Sequence, residues 1–558
     1  MNKQFIFSMT TRPEKSQLIK HCTEAASAIH TECAEILSAK DHHDQVTTNN
    51  RTSLAGCGPA LVELLSRQAK IVHILYQDVI KIDTTTPIIL DPDATQKYTL
   101  ALKRLEDIAS IAYTKFYAYV FKDLPVCWRQ LYTEARILKF CLLFLRSPYA
   151  GGQHESDGGS SSDDDAAKYD GLDELVKMLD LALVLAGAAG ERRGRGWIDK
   201  ALELLHRIWL AEDEDQDING DAAASHDRPV KRAKLTSNHD ASNIHDAASA
   251  TFSTNEPFTP PVAHPIRTVS APSIEEFQTY MDRPRDAKLG PEPLILQNTL
   301  TEWPALGSHP WNQPSYLLSQ TFAGRRLVPV EVGRSYVDEG WGQKLITFGE
   351  FLRGYMTTSE DTSEDSSPDR QIAYLAQHQL FTQLPSLRND ILIPDYCYTS
   401  APPHPTDRSI DQPELEAPLL NAWLGPAGTI SPLHNDPYHN ILAQVVGRKY
   451  VRLYAPRETP RLVARGKENG VEMGNTSALD VGVVEGWDHP TPSNNDDEQG
   501  QEGEREEGMP SEEDINAFKS LPFVDCILGP GDALYIPIGW WHYVRGLSVS
   551  FSVSFWWN

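Results

Sequence analysis

The sequence predicts an α+β protein, with a helical N-terminal domain followed by an antiparallel β-barrel and flanking helices. Three observations predict it. Up to about residue 211, Leu, Ile and Ala recur at three- and four-residue spacings, the period of an amphipathic helix. In the C-terminal part, short runs rich in Val, Ile, Tyr and Phe are bounded by Gly and Pro, as strands and hairpins are. Residues 548–555 alternate strictly, Ser at even positions and Val or Phe at odd ones, the pattern of a half-buried strand.

The helical segments are expected at 13–39, 61–81, 128–145, 172–185 and 197–211, with N-terminal caps in 11–14 and 170–173. They make a domain over 1–211, interrupted by a flexible Gly/Ser/Asp-rich loop at 151–168. No repeat period supports a solenoid. Residues 212–263 are acidic and poor in core-forming side chains, so they read as a disordered linker. Within it, 228–235 carries Arg228, Lys231, Arg232 and Lys234, a candidate nuclear-import signal that points to the nucleus and also allows the cytoplasm. The β-rich part takes up the remainder, with a short helix at 273–281, strands at 294–296 and 327–332 and a helix at 348–355. Residues 485–513 read as an acidic surface insertion, because burying so many carboxylates is prohibitive.

A chain of 558 residues is too long for one core, so two or more domains are expected. Its formal charge of −26 lies largely in short acidic runs, which read as solvated surface. The seven cysteines form no Cys-x-x-Cys pair, which argues against a zinc finger and against a secreted disulfide framework. A reducing intracellular compartment is the default. No apolar run reaches the length of a membrane span. Neither membrane association nor direct nucleic-acid binding is expected.

The chemistry concentrates around His434 and Asp436, two residues apart, and the distant His542. Two imidazoles and one carboxylate on one face of an octahedral ion leave the other face open, which suits a non-haem Fe(II) oxygenase. The pair follows the turn at 425–428 and precedes the hairpin 441–454; His542 follows the strand-like runs 523–528 and 533–537. These ligand candidates therefore sit at strand ends of a barrel, whose mouth is a usual binding site. On the residues alone, two hydrogen-bonded barrel histidines and a turn aspartate before Pro437 remain the rival reading, and zinc the rival metal. Lys449 follows a tight turn a few residues downstream. It is a candidate cation for an anionic co-substrate, or an exposed hairpin lysine.

Several motifs in order resemble the jumonji-C oxygenases. They are 425–436 with His434 and Asp436, 446–450 with Lys449, 541–545 with His542, 551–557, 374–380 and 393–397. The resemblance runs from about His264 to the C-terminus and is strongest to the jumonji-domain-containing protein five, or lysine demethylase eight, subfamily. It implies a jumonji-C double-stranded β-helix, a cupin-like jelly-roll barrel, over 264–558. It implies Fe(II) held by His434, Asp436 and His542, with 2-oxoglutarate and O2 as co-substrates. By the same resemblance Tyr374, Ser431, Asn440 and Lys449 bind 2-oxoglutarate, and His439 is not a ligand. Glu331, Trp341, Gln377 and Trp423 occupy substrate-pocket positions, with Tyr336 and Trp556 nearby. A carboxylate with aromatic faces suits a guanidinium or alkylammonium group. The expected partner is a basic protein or peptide, such as a histone tail or a ribosomal or chromatin-associated protein. Arginine hydroxylation is the first expectation, histone lysine demethylation through N-methyl hydroxylation the alternative, and a non-catalytic binding scaffold a further one.

Overall fold

The computed structural model describes residues 13–39, 53–80, 91–119, 123–150, 163–220, 250–286, 288–338, 340–356, 372–468, 471–489 and 510–558. The chain divides into two compact units, Met1–Ile244 with Arg325–Leu327, and His245–Gly324 with Val328–Asn558. Among the described residues no helix is long and apolar enough to cross a membrane.

The first unit is helical: α1 Pro13–Ser38, α2 Pro59–Ile80, α3 Pro92–Ala118, α4 Val126–Arg146, α5 Asp163–Ala186 and α6 Gly194–Gly220. α4 is buried on nearly every side and forms the axis of the unit, with α3 and α5 against it. Five of these helices follow the expected apolar stripes. α3 was not expected, because Lys103, Arg104, Glu106 and Asp107 break up the stripe made by Tyr98, Ala101, Leu105, Ile108 and Ala112. Its start was nonetheless written in the sequence: the Asp91 carboxylate accepts from the Ala94 N–H at 2.8 Å and Pro92 opens the helix. α5 begins at Asp163, not at a cap in 170–173, so it takes in the end of the expected loop 151–168. α6 runs on to Gly220, beyond the expected boundary at 211.

The basic cluster at 228–235 lies outside the described residues. Residues 250–263, expected to be linker, belong to the second unit. Phe252 is buried in its core, and its N–H donates to the Asn312 carbonyl at 2.9 Å. The Ala263 and His264 N–H groups donate to the Asp525 carboxylate, which is fully buried and needs such donors.

The second unit is built on two facing sheets. The strands are β1 Thr268–Ser270, β2 Leu294–Gln297, β3 Leu327–Val332, β4 Gly342–Thr347, β5 Ala373–His378, β6 Leu419–Gly425, β7 Ile430–His434, β8 His439–Val446, β9 Lys449–Tyr454, β10 Lys467–Glu468, β11 Val471–Glu472, β12 Phe523–Leu528, β13 Ala533–Ile536, β14 Trp541–Gly546 and β15 Ser550–Trp557. One sheet runs β1-β2-β13-β8-β15-β6-β5-β3-β4 and the other β12-β9-β14-β7; β10 and β11 form a separate hairpin. α7, Ile274–Asp282, starts with a capping box between Ser273 and Glu276.

Three apolar clusters fix the layers. Between the sheets lie Leu442, Leu534 and Ile536 from one and Val451, Leu453, Leu528 and Val544 from the other. The outer face of the large sheet, with Phe551, Val553 and Phe555, packs against Trp311, Phe348 and Phe381. The outer face of the small sheet, with Tyr450, Trp541 and Tyr543, is covered by Leu479, Val481, Phe518 and Leu521. β15 is therefore buried on both faces, not half-buried as its alternation suggests. Its serines face the interior: Ser552 Oγ donates to Gln444 Oε1 at 2.7 Å and Ser554 Oγ accepts from the Trp423 indole N–H at 3.0 Å.

The acidic insertion also differs from expectation at its ends. Glu485 pairs with Arg452 at 2.6 Å, and Asp488 bridges Arg334 and Arg545 at 3.0 and 2.7 Å. Ser511 caps the helix Glu512–Lys519. Carboxylates with arginine partners can be part of the body of the barrel. Residues 490–509 lie outside the described residues.

Candidate active site

Strand pairing places the metal-ligand candidates. β14 pairs antiparallel with β7 so that His542 lies directly opposite His434. The two imidazole centroids are 4.2 Å apart. Asp436, just past the end of β7, brings one carboxylate oxygen to 3.9 Å from His434 Nε2 and the other to 3.5 Å from His542 Nε2. One donor atom from each of the three residues fits within a 4.8 Å span.

The second nitrogen of each ring explains the orientation. His434 Nδ1 is 2.7 Å from the Pro432 carbonyl, and His542 Nδ1 is 3.1 Å from that of Trp540. A carbonyl only accepts, so each Nδ1 carries the proton and each Nε2 keeps a lone pair for a metal. Burial, with a smaller push from His434, lowers the His542 pKa well below its ordinary value, so this imidazole is neutral. Burial raises the Asp436 pKa, with His434 opposing. Two imidazoles and one desolvated carboxylate make a donor set that a divalent cation would satisfy.

His439, five residues from His434, shows the contrast. It is fully buried, with one ring nitrogen 2.8 Å from the Tyr535 hydroxyl and the other 2.8 Å from the Pro402 carbonyl. Burial lowers its pKa to about 4. Both nitrogens are engaged, so His439 is a packing histidine.

Lys449 enters the same cavity from β9. The turn before it needs Gly447, whose φ is +67° and whose added Cβ would drive into the Val549 carbonyl. Lys449 is 1% exposed, so it is not an exposed hairpin lysine. Its Nζ donates to the Tyr374 hydroxyl at 3.1 Å, and no carboxylate pairs with it among the described residues. Burial lowers its pKa to about 7. Such an ammonium is costly to bury unless an anion joins it. Tyr374 is also buried, with its pKa raised by burial and by Glu331, while Ser431 opposes. Asn440 is buried and its Oδ1 has no hydrogen-bond partner among the described residues. Tyr374, Ser431, Asn440, Lys449 and the triad line one small cavity.

The residues expected to meet a substrate fall into two groups. Glu331 on β3 lies opposite Tyr374 on β5. Burial raises its pKa to about 7, while the Trp341 indole N–H beside it acts in the other direction. Glu331 has no cationic partner among the described residues. Tyr336 hydrogen-bonds to Thr476 at 3.2 Å, and burial raises its pKa to about 12, helped by Asp436 and Glu331. Trp341 is thus beside Glu331, and Tyr336 is close enough to Asp436 and Glu331 to feel their charge, but none of the three lines the central cavity. Trp423 lines the central cavity, held by its Nε1–H to Ser554 Oγ at 3.0 Å.

Gln377 and Trp556 are placed differently. Gln377 is exposed, with φ +47° at the irregularity between β5 and β6, and it does not line the central cavity. Trp556 pairs across with Asn440 and so shares its face of the sheet, but stacks on Tyr438 outside that cavity. The sequence reading missed Ser554 as a lining residue. The signal was the serine alternation, which puts Ser552 and Ser554 on the face that also carries Trp423.

This geometry and fold define a cupin-like domain with a two-histidine, one-carboxylate centre, and residues 283–558 match the family described as "Cupin-like domain". Over much of this segment the chain is similar to proteins named for a jumonji-C domain or for lysine demethylation. It is 38% identical over 301 residues to Lysine-specific demethylase 8 of Danio rerio, covering 53% of this chain and 60% of that protein. It is 38% identical over 311 residues to Jumonji C domain-containing protein 5 of Drosophila melanogaster, covering 56% and 64%. With Lysine-specific demethylase JMJ30 of Arabidopsis thaliana it shares 39% over 274 residues, covering 49% and 52%. The match spans less than two thirds of each of these relatives.

Proposed function

We propose that this protein is an Fe(II)- and 2-oxoglutarate-dependent oxygenase acting on a cationic side chain of a protein substrate. The observation that carries the reading is the pairing, in one cavity, of the His434–Asp436–His542 cluster with a buried Lys449 that meets no carboxylate among the described residues. The three ligands would hold Fe(II), which with 2-oxoglutarate and O2 supplies the oxidising power for hydroxylation. Lys449 and the Tyr374 hydroxyl would bind the far carboxylate of 2-oxoglutarate. Ser431 and the Asn440 amide would complete its polar surroundings. The apolar plug beneath, with Leu442, Ile536 and Val544, keeps water from that end of the cavity.

The names of the relatives support lysine demethylation over the arginine hydroxylation that stood first in the sequence reading. In demethylation an N-methyl group is hydroxylated and leaves as formaldehyde. Glu331, Tyr336 and Trp341 would receive the alkylammonium through charge and aromatic contact. Arginine hydroxylation is kept as a second reading for one observation: the half-buried Glu331 carboxylate has no cationic partner among the described residues, and a guanidinium would give it paired N–H donors. In either case the partner would be a basic protein segment, such as a histone tail.

Mass spectrometry of peptide libraries incubated with the enzyme, Fe(II) and 2-oxoglutarate separates the readings. Methyl loss from Lys supports demethylation, and oxygen gain on Arg supports hydroxylation. A folded, iron-loaded protein that forms no succinate in any mixture refutes both and leaves a binding scaffold.

A further inference from the structure

The loop carrying His434 and Asp436 is braced from both sides. On one side β14 pairs His542 with His434. On the other, β7 would be a bare sheet edge, but the segment 475–477 covers it. Thr476 bridges His434 in antiparallel fashion, Ser477 N–H donates to the Leu433 carbonyl at 2.8 Å, and Asn435 N–H donates to that of Asn475 at 2.9 Å. The Asn475 amide adds a bond to the Asn435 carbonyl at 3.2 Å.

Thr476 itself is 1% exposed, and its hydroxyl is bonded to Tyr336. Tyr336 lies on the 333–338 segment that continues from Glu331, near enough to Asp436 and Glu331 to feel their charge. The base of that segment is fixed independently: the Arg334 guanidinium meets Asp338, Asp480 and Asp488, and its carbonyl accepts from the Ile430 N–H. The Tyr336 hydroxyl is therefore the point where this segment meets the brace. Thr476 touches the ligand loop through its backbone and the 333–338 segment through its side chain.

We propose that Thr476 is a positioning residue that couples metal occupancy to the order of the 333–338 segment. The proposal rests on the metal reading of the triad. A cation that draws His434 and Asp436 together fixes the 433–436 loop. The bridged segment 475–477 is fixed with it, and with that segment the hydroxyl that holds Tyr336. The coupling is reciprocal, so a substrate ordering Tyr336 also tightens the metal site.

Amide hydrogen exchange of the full chain, with and without Co(II), tests this without turnover. Co(II) is expected to slow exchange in 333–338 of the wild type about tenfold, within the ordinary range of site-to-site coupling. Thr476→Val removes only the hydroxyl at nearly constant volume. It should bind Co(II) within about twofold of wild type yet lose that slowing, because coupling acts through the shared partner. Thr476→Ser should keep it, and Tyr336→Phe should lose it as Thr476→Val does, with the double variant no worse than either. Slowing that persists in Tyr336→Phe, loss of it in Thr476→Ser, or its absence from Co(II)-loaded wild type overturns the proposal. If Thr476→Val fails to fold, Tyr336→Phe and Thr476→Ser still decide. A wild type that binds no Co(II) refutes the metal reading itself, a result distinct from a loaded protein whose loop exchanges unchanged.

Discussion

Charged groups are buried in both units of this protein, but the barrel adds to its paired charges others that lack a counter-charge among the described residues. In the helical unit Arg193 sends its Nε–H to both oxygens of Glu134, each at 2.9 Å, and reaches Glu32 at 2.6 Å. Arg193 and Glu134 are 5% and 1% exposed, and each has its counter-charge. In the barrel, Lys449 is as deeply buried with a phenol as its only side-chain partner among the described residues, and the half-buried Glu331 has no cation among them. Buried charges with partners hold a fold together; buried charges without them mark where ligands of opposite sign belong.

That contrast breaks or stands on several variants. The largest effect is expected from Arg193→Met, which strands two carboxylates. It should lower the unfolding free energy by about 3–5 kcal/mol. Denaturant unfolding of the full chain checks it, and turnover per folded molecule should be unchanged. Asp436→Ala should do the reverse. Co(II) affinity should fall by at least about a hundredfold, since even outer-shell partners of metal sites are worth about 10–100-fold. The unfolding midpoint should hold, because the carboxylate supports no core contact. A variant that titrates Co(II) like the wild type would remove the triad from the account.

Lys449→Met is a sharper test, because loss of a buried cation should stabilise the ligand-free protein. Relieving about 1 kcal/mol of desolvation would raise the midpoint by roughly 2–4 °C. A fall of similar size would mean that Lys449 is structural, like Arg193. The pH dependence follows from the same group. Burial lowers the Lys449 pKa to about 7 from an ordinary 10.5, so the ligand-free ammonium is charged below about 7 and loses its proton above it. An anion binds the charged form, so 2-oxoglutarate affinity should be level below about pH 7 and then weaken by up to about tenfold per pH unit. Titrations across pH 6 to 9, roughly two units above that pKa, measure it; affinity that rises with pH contradicts the assignment.

The smallest effect is expected from replacing 490–509 with a short Gly/Ser bridge. Loop-closure entropy changes slowly with length, so stability should shift by less than about 1 kcal/mol. Extending the cut to 485–513 should be far more damaging. It removes Glu485 from Arg452 and Asp488 from Arg334 and Arg545.

The cluster of His434, Asp436 and His542 was legible as a candidate because the first two lie two residues apart and the strand pattern places all three on a barrel. Lys449 needed the resemblance to be read as interior, since the hairpin pattern alone leaves it on the surface. Features that depend on pairing between distant segments were not legible. Thr476 sits in a polar stretch that reads as loop, and only its bridge to His434 gives it a place. The strap at 250–263 looked like linker because its anchors, Phe252 and the N–H groups facing Asp525, find their partners far along the chain. The charges of α3 hid its buried stripe, although its cap was in plain view.

The measurement that bears most directly on the barrel site is calorimetric titration of 2-oxoglutarate into the anaerobic full chain, with and without Fe(II). The wild type should bind 2-oxoglutarate tightly only when iron is present. Asp436→Ala should lose that binding together with iron. Lys449→Met should keep iron but weaken 2-oxoglutarate by at least about tenfold, the worth of a charge-assisted hydrogen bond of about 1.5–3 kcal/mol. Binding that ignores iron, or a Lys449→Met curve that overlays the wild type, would contradict the assignment of this cavity.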